Sequence, residues 1–191
     1  PLGEDRILLS TSGSTGSPKF ARLTEDAVQA SSQQIVTAAG ITQSDRALLS
    51  LPLHYSFGVS VLNSHLLAGA GLVIGAQGSM SPDFAAEIAA SGVTNLYAVP
   101  FSIDVFHRTA LFDQPLGQLR SVTVAGGKLA PDVTLSTFEA LARQSVDLII
   151  RYGATEATSA ISMLAAQELP QFLGSVGTPL SGINLEVLDP D

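Results

Sequence analysis

The chain has 191 residues, 46% of them hydrophobic and only 14% charged, against about 25% charged in an ordinary soluble domain. Nine Lys/Arg against seventeen Asp/Glu give a net charge of −8 with no basic run, which argues against nucleic acid or an anionic membrane as partner. The lack of cysteine excludes disulfides and thiol catalysis and fits a reducing, cytoplasmic setting, and Pro1-Leu2-Gly3-Glu4-Asp5 is acidic where a secretory leader is basic and apolar.

In chain order, a short apolar strand over residues 7–9 runs into Ser10-Thr11-Ser12-Gly13-Ser14-Thr15-Gly16-Ser17-Pro18-Lys19. Glycines let backbone N–H groups approach an anion, hydroxyls add donors, and Lys19 adds a mobile positive charge, so the loop suits a polyphosphate. It is not a Walker loop, since Pro18-Lys19-Phe20 replaces the Gly-Lys-Ser/Thr ending. A flexible Gly/Ser linker shares the composition, but such a linker seldom follows a strand directly or ends in Pro-Lys.

Strand and helix candidates then alternate, the rhythm of an α/β sheet. Thr24 reads as an N-cap with Glu25 and Asp26 in the first turn, and that helix runs to Gly40. A buried strand over 47–51 ends at Pro52, a largely apolar helix covers 59–67, and Gly69-Ala70-Gly71 turns into a strand over 72–74. Ser81-Pro82-Asp83 reads as a helix start, Ser as N-cap and Pro at the first position, with Phe84, Ala85, Ile88 and Ala89 inward and Gly92 as the stop. Strands follow over 95–99, 121–124 and 148–152, the last read as apolar throughout. Between them lie a helix over 103–109 and one opened by Pro131 and Asp132, with Leu135, Phe138 and Leu141 inward. From about Gln171 an antiparallel piece is expected, over 174–179 and 183–188. No Asp, Glu, Lys or Arg lies between Arg46 and Asp83, yet Pro52, Asn63 and His65 interrupt that stretch. A buried helix between two strands explains it better than a membrane span.

Three further stretches can carry chemistry. Arg151-Tyr152-Gly153-Ala154-Thr155-Glu156 ends a buried strand, where ligands of open α/β sheets sit. There Tyr152 can stack on a base, Thr155 can donate to phosphate and Glu156 can hold Mg²⁺. An ordinary strand end with a half-buried tyrosine would look the same taken alone. Ala125-Gly126-Gly127-Lys128 passes from strand to helix, and its glycines allow close backbone approach to an anion; a simple glycine turn is the plainer reading, and Lys128 reads as a surface residue. Pro52-Leu53-His54-Tyr55-Ser56-Phe57-Gly58 places rings after a strand, as an organic-acid pocket would, though a lone histidine is more often structural. The three histidines lack metal-ligand spacing, and there is no Gly-x-Ser-x-Gly elbow.

Thr11 to Lys19 resembles the signature loop of the AMP-forming adenylating enzymes: acyl-CoA synthetases, peptide-synthetase adenylation domains and firefly luciferase. Phe20 stands where that loop usually has Gly. Tyr152-Gly153-Ala154-Thr155-Glu156 is similar to the family's Tyr-Gly-x-Thr-Glu motif, Gly126-Gly127 to its Gly-Gly turn, and Gly174-Ser175-Val176-Gly177-Thr178-Pro179 to its Gly-x-Val-Gly-x-Pro element. Residues 52–58 are similar to a Pro-Leu-Phe-His-x-x-Gly pattern, with His54 one place early and Tyr55 in the fourth position, so either ring can be the one at the acid.

The resemblance implies an α/β fold, a largely parallel sheet flanked by helices with a short antiparallel β piece at the C-terminus. It divides the chain into a nucleotide-binding subdomain over 1–172 and the start of a β subdomain over 173–191. The implied reaction joins a small-molecule carboxylic acid to ATP, giving acyl-adenylate and pyrophosphate, with Mg²⁺ and then a CoA or carrier-protein thiol as acceptor. Thr11, Ser12, Gly13, Ser14, Thr15 and Gly16 would take the phosphates, and Lys19 would assist catalysis. Gly126 and Gly127 would line adenine and the acyl carboxylate, Tyr152 and Gly153 adenine, and Thr155 the α-phosphate. Glu156 would hold the metal, and His54 or Tyr55 would line the acid pocket. Whole family members are much longer, so the chain is expected to be an inactive fragment that needs the remainder of its polypeptide and self-associates when alone. A stand-alone nucleotide-binding or regulatory module without chemistry stays open as the alternative.

Overall fold

The expected strand–helix alternation is present in the computed structural model, which describes residues 6–11, 19–75, 78, 80–186 and 188. In chain order the elements are β1 (Arg6–Thr11), β2 (Lys19–Thr24), α1 (Glu25–Ala39), β3 (Arg46–Leu48), α2 (Ser56–Leu67), β4 (Gly71–Val73) and α3 (Phe84–Ala90). Then come β5 (Asn95–Ala98), α4 (Pro100–Arg108), β6 (Ser121–Val124), α5 (Pro131–Ala142), β7 (Asp147–Tyr152), β8 (Ser162–Leu164) and β9 (Thr178–Pro179). The main sheet has the order β4-β3-β5-β6-β7-β8-β9. Its first five strands are parallel, and β8 and β9 add an antiparallel edge. No helix among the described residues is long and apolar enough to cross a membrane.

Period-two patterning gives the sheet two apolar faces. Leu48, Leu96, Ala98, Val122, Val124 and Leu148 point to one face, where they meet Phe84 and Ile88 of α3, Ile103 and Phe106 of α4 and Leu141 of α5. Ala47, Tyr97 and Ala125 point to the other, against Phe57 and Val61 of α2. The β1–β2 hairpin rests on that second layer through Leu9, Ala21 and Leu23, with Val28 of α1 and Val59 of α2 beside them.

Local signals explain most boundaries. The Thr24 side chain accepts from the Ala27 N–H at 3.0 Å, Glu25 and Asp26 occupy the positive first turn, and Gly40 ends the helix at φ 60°. Other expectations need correction. β2 pairs with β1 along its whole length where no strand was expected. The helix after Ser81 begins only at Phe84, because the Ser81 hydroxyl accepts from the Asp83 N–H inside a turn that precedes it. Leu135 is exposed, so the inner face of α5 is carried by Thr134, Thr137 and Leu141 with Phe138 partly buried. Residues 183–186 and 188 form no strand. β7 is not apolar throughout, since Arg151 is buried within it.

At the amino ends of the strands the buried Asp45 carboxylate accepts from Arg120 at 2.8 Å, from the Thr94 hydroxyl at 2.9 Å and from the Thr42 N–H at 2.8 Å. These bonds tie β3, β5 and β6 together at that edge. The carboxyl ends of the same strands are left to loops.

His65 of α2 is fully buried, its Nδ1 donating to the Val61 carbonyl at 2.9 Å while Nε2 has no partner among the described residues. Burial holds this imidazole below its ordinary pKa of 6.5, against the opposing pull of the Val61 carbonyl and the Asp45 charge. The folded form therefore resists a proton that the unfolded chain accepts. Stability should be full above pH 6.5 and fall below it, by at most about 1.4 kcal/mol per pH unit from this group. Urea titrations from pH 7 to 5 should show a steeper loss for the native protein than for His65→Gln. Parallel slopes would remove the assignment.

Candidate active site at the strand ends

Because β4, β3, β5, β6 and β7 are parallel, the loops that leave them emerge on one edge. α2, which follows β3, packs on one face, and α4, which follows β5, packs on the other. A parallel sheet whose adjacent strands send their helices to opposite faces opens a crevice at that point. A cleft of about 390 Å³ lies there, lined by Leu49, Leu51, Tyr97, Ser102 and Phe106 among others.

The loop after β7 is shaped by a close backbone approach. Tyr152 is 46% exposed at the strand end, and Glu156 is exposed in the 3₁₀ turn Thr155–Ala157 that follows. Thr158 and Ser159 then adopt positive φ, 58° and 92°, a left-handed conformation unusual for a β-branched residue. This turn folds the Ser159 carbonyl over Gly153, where any Cβ would overlap it. The Tyr152 carbonyl accepts from the Ile161 N–H at 2.8 Å, which closes the loop on its own strand.

Other segments converge on that turn. The Thr155 and Ser56 hydroxyls lie 3.1 Å apart, which joins the turn to the first turn of α2. The Ser31 hydroxyl of α1 donates to the Thr158 carbonyl at 3.1 Å. Both hairpin strands pack against the same turn. Thr11 pairs with Lys19 across the hairpin end, and its hydroxyl donates to the Lys19 carbonyl at 3.3 Å. Lys19 is exposed. Ser12, Gly13, Ser14, Thr15 and Gly16 lie outside the described residues; the strands that flank them meet at this edge.

Gly126 and Gly127 leave β6 at the same edge, exposed, with Gly126 at φ 83° where a Cβ would meet the Val99 side chain. His54 and Tyr55 follow β3, both exposed, with ring centroids 4.2 Å apart; the Ser10 hydroxyl donates to the His54 carbonyl at 3.4 Å. The structure thus brings the strand-end motifs together on one rim.

Sequence reasoning gave no role to Arg151. Its Nη2 donates to the Ser60 hydroxyl at 2.8 Å and the Ser159 hydroxyl at 3.1 Å, and its guanidinium carbon sits 4.2 Å from the Phe57 ring centroid. The readable signal was an arginine directly after the apolar run Leu148–Ile150 of a strand, a position where charge is rarely kept without a use.

Three comparisons bear on this geometry. A family model described as "AMP-binding enzyme" matches residues 6–191. The chain is 30% identical to the 2-succinylbenzoate–CoA ligase of Bacillus velezensis over 97% of its own length and 37% of that protein. It is 32% identical to the mitochondrial malonate–CoA ligase of Bos taurus over 95% of its length and 33% of that protein. Among solved structures, the O-succinylbenzoate CoA synthetase of Bacillus subtilis in complex with ATP and magnesium ion superposes with a TM-score of 0.77 at 29% identity, over 91% of this chain and 35% of that one. The chain therefore spans about a third of the length of these relatives.

Proposed function

This chain belongs to the AMP-binding enzyme family, and from that membership we propose that it works within a longer ligase that activates a carboxylic acid with ATP. A carboxylate oxygen attacks the α-phosphorus, the bond from that phosphorus to the bridging oxygen of pyrophosphate breaks, and acyl-adenylate forms. A thiol, of CoA or a carrier protein, then displaces AMP from the acyl carbon. The observation that carries the reading is the meeting of the turn Thr155–Ala157, which holds Thr155 and Glu156, with the hairpin that flanks the Gly-rich loop. The cysteine-free composition suits a reducing compartment such as the cytoplasm.

The residues divide the work by chemistry. Tyr152 offers a ring face to adenine, and Gly126 and Gly127 let the base and the acyl carboxylate approach the backbone. Thr155 donates to the α-phosphate, Lys19 and the loop's N–H groups offset negative charge as it develops, and His54 or Tyr55 lines the acid pocket. Mg²⁺ commonly takes one or two protein carboxylates and completes its shell with phosphate oxygens and water, so the exposed Glu156 carboxylate, next in sequence to Thr155, fits it. When bound, the ion would supply charge neutralisation at the phosphates. The acids named for the two ligase relatives, 2-succinylbenzoate and malonate, each carry two carboxyl groups.

Pyrophosphate exchange by the full-length polypeptide, measured across a panel of carboxylic acids, tests the reading. Glu156→Gln should raise the Mg²⁺ concentration at half-maximal exchange by about tenfold, because an amide is a poorer ligand for a hard cation. A magnesium titration that superposes on the native one would remove the role of Glu156. Nucleotide binding without exchange for any acid would instead support a non-catalytic module.

A further inference from the structure

The first turn of α2 and the turn after β7 are joined by one pair of hydroxyls. The oxygens of Ser56 and Thr155 lie 3.1 Å apart, on residues 99 positions apart in the chain. Neither side chain has another hydrogen bond among the described residues. Both residues are half-buried, with exposed Tyr55 just before one and exposed Glu156 just after the other.

Each hydroxyl is carried by backbone with little freedom. Ser56 opens α2 where a Cβ on Gly58 would overlap the Pro52 carbonyl, and the Tyr55 N–H donates to that carbonyl at 3.2 Å. The Ser10 hydroxyl of β1 donates to the His54 carbonyl at 3.4 Å, which ties the same loop to the hairpin. On the other side the Thr158 N–H donates to the Thr155 carbonyl at 3.1 Å, and the Ser159 N–H to the Ala154 carbonyl at 2.9 Å. The Ser31 hydroxyl holds the Thr158 carbonyl at 3.1 Å, and the β-branch of Thr155 restricts its χ1. What stays free is the direction of the proton between the two oxygens. Alone, the pair can run either way, since a hydroxyl donates once and accepts twice. A phosphate oxygen without a proton only accepts. Once it takes the Thr155 proton, Thr155 can only accept from Ser56. The bonds then run in one line from Ser56 through Thr155 to the phosphate, and bonds in such a line polarise and strengthen one another.

We propose that Ser56 is a positioning residue: its hydroxyl donates to the Thr155 oxygen and so keeps the Thr155 proton directed at the α-phosphate. The role rests on the adenylation reading, in which Thr155 is the phosphate donor, and Ser56 acts through Thr155 and not on the substrate. Without Ser56 the Thr155 oxygen keeps its place on the turn, but its O–H loses the donor that polarises it and is free to rotate to other acceptors. Ser56 also follows His54 and Tyr55 directly, so the pair links the loop expected at the acid to the turn expected at the phosphate.

The test is a double-mutant cycle of pyrophosphate exchange in the longer ligase, with the native protein, Ser56→Ala, Thr155→Ala and the double variant, each on the acid the native protein uses best. Ser56→Ala should lower kcat/KM for ATP about tenfold, the effect of one hydrogen bond to a working group, and leave KM for the acid unchanged. In the Thr155→Ala background the same substitution should cost less than about twofold, because the bond it removes is already gone. Ser56→Thr, which keeps the hydroxyl, should stay within about threefold of native. If Ser56→Ala does not fold, Ser56→Cys takes its place in the cycle, with similar volume and only a weak donor. A full loss from Ser56→Ala in both backgrounds, or a raised KM for the acid, would mean that Ser56 merely supports α2, and would overturn the proposal while adenylation stands. Native-like exchange in Ser56→Ala would do the same. Exchange by the native protein with no acid at all would bring down the adenylation reading and this role with it.

Discussion

Gly153→Ala should cost the protein about 3 kcal/mol or more, enough to unfold a domain of ordinary stability. The methyl group would land on the carbonyl of Ser159 and press on the Ala160 Cα, all of it backbone, so no rotamer change relieves the overlap. Nor can the opposing segment retreat easily. The Ser159 N–H donates to the Ala154 carbonyl at 2.9 Å, its hydroxyl is held by Arg151, and the Ile161 N–H is bonded to Tyr152. Gly127→Ala is the control: its φ is not positive, and its Cβ would meet only the Pro100 ring, at 3.3 Å, so the cost should stay below about 1 kcal/mol. Urea midpoints for the two variants decide the matter, and equal midpoints would sink the close-approach argument. The same packing sets the loop that displays Tyr152 and Glu156, so a Gly153→Ala protein that survives should also bind nucleotide less tightly.

The parts of the fold that were legible in the sequence are those fixed by neighbours along the chain. Thr24 caps its own helix three residues on, Gly40 stops it, and Pro131 opens α5, all within one turn of the residue that carries the signal. The strand-end motifs were legible for the same reason, being contiguous. Their convergence was not, because it depends on the order β3-β5-β6-β7, which no local pattern encodes. β2 was missed although Ala21 and Leu23 alternate with Phe20 and Arg22. Six residues between a polar loop and a helix cap read as run-up until a partner strand is present. Arg151 was missed because its meaning lies 91 residues away, at Ser60. Composition shows a charge after an apolar run, but only the structure shows that no carboxylate among the described residues pairs with it.

Residues 1–191 alone should give no pyrophosphate exchange with any acid, while the longer ligase proposed above should give it. The chain corresponds to 37% of the length of its Bacillus velezensis relative. The longer relatives carry chain outside the part that these residues match, and the adenylation reading leaves the remaining orienting and charge-offsetting groups to it. On the described surface the Tyr152 ring and the Glu156 carboxylate face solvent, where an ionic contact has a fraction of its strength in a closed site. Groups that orient the carboxylate and offset charge in the transition state act on rate, by factors of 10² or more each, as an order of magnitude. Their absence should therefore abolish turnover while leaving the sheet and its helices folded. The uncovered surface should show itself as well: Ile74 is 84% exposed, and Met80, Phe101 and Phe20 are each more than half exposed. Apolar groups left open in this way favour association, so light scattering should report a dimer or larger species. Weak nucleotide binding, no exchange and self-association are the expected set. Sustained exchange by a monodisperse monomer of these residues would show that they carry the whole reaction.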